Sequence, residues 1–554
     1  MILIFITSVL LFAFGYFLYA RYISRVLNIK PENPVPSVER KDGVDFVPTN
    51  KFVLFGHHFA SIAGAGPILG PIIATSMYGW GPTWIWVIIG GVFFGAVHDF
   101  LSLIVSVRNQ GRSIFDISKD ILGKFTSLFM SIFVFLALMI VVAVFAAYTA
   151  VTFVSEPRIV IPTLSILLVA LIVSFMIYRL KIGLILSTLI GLSIVIASIF
   201  ISFNFNIAIA LPYDSKTSTT VWIFILLAYS FIASVLPVNL ILQPRDYINS
   251  YILFVGMLFG IAGILSFSFS NLEVKIPFFE ISEIAKNPNT GLLEPLWPIL
   301  FITVACGAIS GFHSLISSGT TSKQLANEKD ARFVGFGGML TESLLAVIVI
   351  IGVIFFLSYD KLISLVKDGK TILAFGESFG GLTSSILGGW GLSLAILMIN
   401  GFMLTTLDTA TRISRFILEE IVQNLFNRKI VKYLSTTIVV VISGYLALSG
   451  AYVAIWKLFG TANQLVAALA LVVISTYLLY KGKNSMFAMI PAIFMVITTL
   501  GSLVFYFYKY AFDSFNITFL IIDSVLLVVS VISYISIALS IIRTKFLKVQ
   551  GEKV

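Results

Sequence analysis

The chain has 554 residues, 58% of them hydrophobic and 11% charged, with a mean hydropathy of +1.04. No soluble domain hides that much apolar surface, so this is a polytopic membrane protein. Its formal charge of +10 lies in short connections between apolar stretches, which excludes a nucleic-acid patch, and its one cysteine, Cys306, excludes intramolecular disulfides and cysteine-based metal clusters.

Stretches of spanning length fall at about 2–20, 52–76, 84–107, 125–153, 161–179, 183–206, 219–242, 250–270, 296–318, 333–358, 386–407, 433–449, 459–480, 485–508 and 517–541, fifteen in all. The first has neither a basic n-region nor a small-residue cleavage site and reads as a retained span. With the N-terminus outside, the inner connections hold 27 of the 36 Lys and Arg and the outer ones 9, so N-out, C-in is expected. Residues 21–51, with Pro31, Pro34, Pro36 and Pro48, form an extended cytoplasmic linker. Residues 371–385 are left between a connection and a re-entrant segment. Residues 408–428 read as an amphipathic helix in the inner interface or against the bundle, with Ile413, Phe416, Ile417, Ile421 and Leu425 on one stripe and Asp408–Arg412 at i,i+4 spacing.

Two spans stand apart. The stretch 52–76 carries His57 and His58, then Gly64, Gly66, Pro67, Gly70 and Pro71, and the stretch 296–325 carries Gly307, Ser310, Gly311 and His313 before a run of Ser, Gly and Thr. Glycine and proline at mid-depth predict broken helices, which membranes tolerate where the freed backbone lines a cavity. The two spans are second and ninth; an odd separation makes them cross in opposite directions, so five-helix units starting at 52 and 296 would be inverted repeats. The expected organisation is a first helix and linker (1–51), a five-helix unit (52–206), two inserted helices and an outer loop (207–295), an inverted five-helix unit (296–480), and two C-terminal helices with a tail (481–554). Half-helices starting near Ile68 and Gly311 would aim free amides at one central anion site. Candidate substrate contacts are Ser61, Gly64, Gly66, Pro67, Ser310, Gly311 and Ser314.

Ionisable groups at depth are costly and mark function or structural pairing. His57, His58, His98, Asp99, His313 and Glu342 are the candidates for proton coupling, with Asp99 first and Glu342 second. His57, His58, His98 and Asp99 also have the residue types of a metal set, but no zinc spacing is present, so neither metal nor cofactor is expected. Arg245 and Asp246 form a compact inner cap read as a gate. Asn400, Thr405, Asn463 and Gln464 read first as interhelical hydrogen bonds. No Walker A, Rossmann or H-E-x-x-H motif occurs, which argues against a nucleotide-driven pump or a zinc protease.

The stretches HHFASIAGAGPILGP, LQPRDYINSY, GAISGFHSLISSGTTSKQL and TTLDTATRISRFILEE together resemble the carbon starvation protein A family, over roughly residues 20–480. That resemblance implies an inner-membrane transporter with a LeuT-like core plus extra helices, related to the amino acid–polyamine–organocation transporters. It implies import of small peptides during carbon starvation or, in some members, of pyruvate with protons. The family signature falls on His57–Pro71, with Arg245–Asp246 and Gly307–Thr321 as further matching blocks. A channel lined by the glycine-rich segments and an intramembrane enzyme using Asp99, Asp246 or Asp408 are the competing classes.

Overall fold

The structure, a computed structural model, describes residues 1–268, 270, 272–286, 293–422, 428–448, 452–513 and 517–549. Residues 287–292 of the expected outer loop, Leu425 of the expected amphipathic stripe and residues 550–554 of the expected tail lie outside the described residues. The described chain is all-α; its β-bridges, Thr49–Leu325 and Lys286–Leu293, are isolated. In chain order the principal helices are α1 (Ile2–Val26), α2 (Lys51–Ile62), α3 (Gly66–Tyr78), α4 (Trp80–Arg108), α5 (Lys124–Ser155), α6 (Pro157–Ile177), α7 (Leu184–Asn204), α8 (Ser215–Val235), α9 (Leu242–Ser266), α10 (Leu296–Thr303), α11 (Gly311–Gly319), α12 (Glu328–Phe356), α13 (Thr371–Leu387), α14 (Trp390–Val422), α15 (Arg428–Leu448), α16 (Tyr452–Tyr480), α17 (Met486–Phe512) and α18 (Ile517–Val549).

Among the described residues, twelve helices are long and apolar enough to cross a bilayer, thirteen when the bent pair α2–α3 counts as one span. The two further stretches expected are 296–318, cut into helices of 8 and 9 residues that are each too short to cross alone, and 517–541, where among the described residues only Asp523–Ile535 qualifies, as a shorter apolar helix. Both breaks expected from glycine and proline are present. α2, capped by the Asn50 side chain on the Phe52 amide (2.9 Å), ends at Ile62, and α3 leaves at 42° with Pro67 in its first turn. Between α10 and α11 the chain is non-helical over 304–310, with Gly307 at φ +73°, a conformation that favours glycine.

The broken helices run antiparallel. Thr49, before α2, donates its amide to Gln324 O after α11 (3.0 Å), whereas Tyr78 Oη at the end of α3 donates to Glu294 O before α10 (3.0 Å). The start of each therefore lies beside the end of the other, as the parity of the spans required.

Two local expectations change. Residues 408–422 are not a separate interfacial helix; they continue α14, which is 33 residues long and buries Asp408, Arg412, Ile413, Arg415 and Ile417. The i,i+4 pair Asp408–Arg412 does not form, because each residue has a long-range partner instead: Arg245 for Asp408, Asp45 for Arg412. α13 is short, and Ser385 near its C-terminus shares a hydrogen bond (2.8 Å) with Ser266 at the end of α9, while Gly381 packs on Phe356 at the end of α12. α13 thus lies at the end of the bundle where α9 and α12 finish.

Candidate functional site

The two breaks touch. A Cβ on Gly66 would lie 2.5 Å from Cys306 Cβ and Sγ, one on Gly70 2.7 Å from Thr303 O, and one on Gly307 3.5 Å from Pro67 Cα. Gly70 packs on the backbone of the second break and Gly66 on the Cys306 side chain, so neither position has room for a side chain of its own. Beside it is a cavity of about 80 Å³ whose walls include Gly66, Gly70, Thr303, Cys306, Phe459 and Tyr506.

Helices α3 and α11 both begin at the breaks, as expected, but α11 is not an open anion cradle. Asn463 Oδ1 accepts the Phe312 amide (2.9 Å), and Gln464 Nε2 donates to Ile309 O (3.0 Å), so α16 satisfies freed backbone groups of the second break. The serines are likewise engaged: Ser310 exchanges hydrogen bonds with Asn463, Ser314 Oγ donates to Gly311 O (2.7 Å), and Ser61 Oγ donates to Asp246 (3.1 Å). Gly311 abuts Asn463 O, where a Cβ would come within 2.2 Å, and Gly64 faces Thr406 Oγ1 at 3.2 Å.

Behind the breaks, four of the six proposed proton-coupling residues form one buried chain. Asp99 Oδ1 lies 2.8 Å from His98 Nδ1, and its Oδ2 lies 2.8 Å from His313 Nδ1. His313 Nε2 is 3.2 Å from Glu342 Oε2, without hydrogen-bond alignment. Glu342 Oε1 accepts the Gly307 amide (3.3 Å), which attaches the chain to the second break. His58 stands beside it, its Nδ1 2.9 Å from Thr321 Oγ1. His57 belongs elsewhere, so the set His57, His58, His98 and Asp99 is not a single cluster.

His57 Nδ1 lies 2.8 Å from Asp246 Oδ2, in a second buried network. Arg245 donates through Nε to Asp246 Oδ1 (2.9 Å) and through Nη2 to Asp408 Oδ1 (2.9 Å), with closer contacts from Nη1 to Asp408 and Nη2 to Asp246. Tyr229 Oη donates to the same Asp408 carboxylate (2.5 Å). The side chain of Arg245 is 1% exposed and both aspartates 0%. Gln243 Nε2 bonds Thr49 Oγ1 (2.6 Å) and Gln324 Oε1 (2.8 Å), and Gln324 reaches His57 Nε2 (3.3 Å). α2, α9, α14 and the segment after α11 are thereby pinned together at one end.

Asp408 as partner of Arg245 was missed because its i,i+4 neighbour Arg412 offered a local explanation. Tyr229, midway along the expected span 219–242, carried no signal beyond its hydroxyl, and Gln324 none beyond its place in the quoted stretch GAISGFHSLISSGTTSKQL. Cys306 was read only for what a single thiol excludes.

Two antiparallel broken helices meeting inside a polytopic bundle, with a buried acid–histidine chain behind them, define a membrane transport protein rather than an enzyme. The family described as carbon starvation protein CstA matches residues 1–368 and 367–502, and the chain belongs to that family. It is 33% identical to the peptide transporter CstA of Campylobacter jejuni, over 89% of this chain and 78% of that protein. It is 32% identical to the pyruvate/proton symporter BtsT of Escherichia coli, over 90% and 80%. A manganese transporter from Eremococcus coleocola has a similar fold at 11% identity, with a TM-score of 0.51 covering 91% of this chain and 98% of the other.

Proposed function

We propose that the protein is a secondary active transporter of the plasma membrane that imports small peptides together with protons. The observation that carries this is the contact of two antiparallel helix breaks, one of them hydrogen-bonded through Gly307 to the buried Glu342–His313–Asp99–His98 chain. In this reading the spans number fifteen, the units 52–206 and 296–480 are inverted repeats on a LeuT-like plan, and the N-terminus is outside with the C-terminus cytoplasmic. Substrate is met by backbone at Gly64, Gly66, Pro67 and Gly311, by Ser310 and Ser314 once α11 moves off α16, and by Ser61 once it releases Asp246. Arg245 and Asp246, with Asp408, form the inner gate.

Coupling follows from the Gly307 contact. An ionised Glu342 accepts the Gly307 amide more strongly than a protonated one, so a proton arriving on this carboxylate loosens the backbone of the break. Each unit by which a carboxyl's pKa differs between outward and inward states supplies about 1.4 kcal/mol of coupling. His313 and Asp99 relay that proton to His98, and His58 flanks the route, while His57 answers to Asp246 in the second network.

The cavity of about 80 Å³ favours a second reading, import of pyruvate, since it has room for a molecule of a few heavy atoms. Proteoliposomes decide between them. The first reading requires accumulation of a labelled dipeptide that a protonophore abolishes and excess pyruvate does not displace. Accumulation of pyruvate alone establishes the second, and flux that never exceeds equilibrium for either refutes both in favour of a channel.

A further inference from the structure

We infer that Cys306, His313 and Glu342 form a site for a thiophilic divalent transition ion of the zinc class. The ligating atoms Sγ, Nε2 and a carboxylate oxygen of these three residues lie within 4.8 Å of one another, and all three residues are buried. Tetrahedral zinc, with bonds of about 2.0–2.3 Å, places its ligands roughly 3.3–3.6 Å apart. The 3.2 Å between His313 Nε2 and Glu342 Oε2 already has that spacing, and the sulfur need only swing inward.

Orphaned atoms make the same point. Neither His313 Nε2 nor Glu342 Oε2 has a hydrogen-bond partner, although both are fully buried. Leaving such groups unsatisfied in a buried site is costly, and an ion between them satisfies both. Their remote atoms are held for the purpose. Asp99 Oδ2 engages His313 Nδ1 (2.8 Å), so Nε2, which faces Glu342, is the nitrogen left to take an ion, while the Gly307 amide anchors Glu342 Oε1 (3.3 Å). A carboxylate behind a histidine is the usual support of a metal-bound imidazole. The thiol has only long hydrogen bonds, 3.5 Å to Ser310 Oγ and 3.6 Å to Asn463 Nδ2, so little polar bonding has to break when it turns to an ion. On binding, the thiol proton and any proton on His313 Nε2 leave to solvent, and the ion takes the thiolate and the neutral imidazole. Thiolate with imidazole selects zinc or cobalt over magnesium or calcium. Cys306 lies in the second break, His313 on α11 and Glu342 on α12, so a bound ion ties the break to α12.

Because the chain has one cysteine, any thiolate-to-cobalt charge-transfer band in the purified full-length protein belongs to Cys306. Titration with Co²⁺ is expected to raise such a band to saturation at one ion per chain. Excess Zn²⁺ should bleach it, and Mg²⁺ should not. It should be absent in Cys306→Ser. His313→Gln and Glu342→Gln should each weaken binding at least about tenfold, and Asp99→Asn, which touches only the far nitrogen of His313, by about 10–100-fold. No band in the unaltered protein, or equal affinity in His313→Gln and Glu342→Gln, overturns the site. X-ray absorption of the zinc-loaded unaltered protein needs no variant. One sulfur with nitrogen and oxygen neighbours supports the site, and a sulfur-free shell refutes it.

Discussion

Replacing Arg245 by glutamine tests whether the buried network at one end of α9 is held by charge. Arg245 spans two carboxylates, Asp246 and Asp408, at 2.9 Å for the longer bond of each pair, and all three side chains are almost fully buried. Removing the guanidinium leaves two carboxylates in one dry site, a change that costs about 3–5 kcal/mol. Asp408→Asn keeps the shape, leaves Arg245 paired with Asp246, and costs about 1–3 kcal/mol. Once Arg245 is gone, neutralising Asp408 relieves the repulsion, so Arg245→Gln/Asp408→Asn should be more stable than Arg245→Gln alone. The expected coupling is about 2 kcal/mol or more. Cys306 supplies the assay: it is the chain's only thiol and is buried, so a fluorogenic maleimide reports unfolding directly. If the two effects add within about 0.5 kcal/mol, or the double variant is the least stable, charge does not hold this end together.

Gly66→Leu should abolish uptake while the protein still inserts, and Gly66→Ala should impair it, because even a Cβ meets Cys306 at 2.5 Å; adding Cys306→Gly to Gly66→Ala should restore uptake, and normal uptake in Gly66→Leu would show the seam is not tight. Asp99→Asn should retain counterflow exchange but lose accumulation driven by an inward proton gradient, and retained accumulation removes Asp99 from coupling. Single cysteines at Ala326 and Asp368, in a Cys306→Ser background, flank α12 and should be labelled from opposite sides, Ala326 from inside; labelling from one side refutes N-out, C-in. Asp45 is pushed up by burial but held down to about 2 by Arg412, Arg415 and Lys323. It therefore stabilises the linker's attachment above its unfolded pKa near 4, by about 2 kcal/mol, and that contribution is lost as pH falls from about 4 to 2. Asp45→Asn should speed tryptic cleavage of the linker at neutral pH, and an unchanged rate would refute the anchoring role.

What was legible in the sequence was what backbone chemistry dictates locally. Gly64, Gly66 and Pro67 announced one break, Gly307 and Gly311 the other, and the parity of the spans between them announced their opposite directions. Side-chain partners were far less legible. Nothing near Arg245 distinguishes Asp408, 163 residues away, from any other acid, and helical spacing favoured Arg412 for it instead. The capping of α11 by Asn463 was equally hidden, because an asparagine opening an apolar span is compatible with many neighbours. Helix number suffered where a break divides a span into pieces too short to count.

The distance along the chain between Arg245 and Asp408 also bears on biogenesis. At about 5–20 residues per second, roughly 8–30 s of synthesis separate the two residues. During that interval α9 is in the bilayer and α14 does not yet exist. Arg245 already has Asp246 beside it, so the nascent helix carries a neutral pair and not a bare cation, a far smaller obstacle to insertion. Asp408 then arrives as the last member of a site that has been waiting for it, and its docking brings α14 against α9. The adjacent aspartate acts as a placeholder during assembly, and the distant one completes the site.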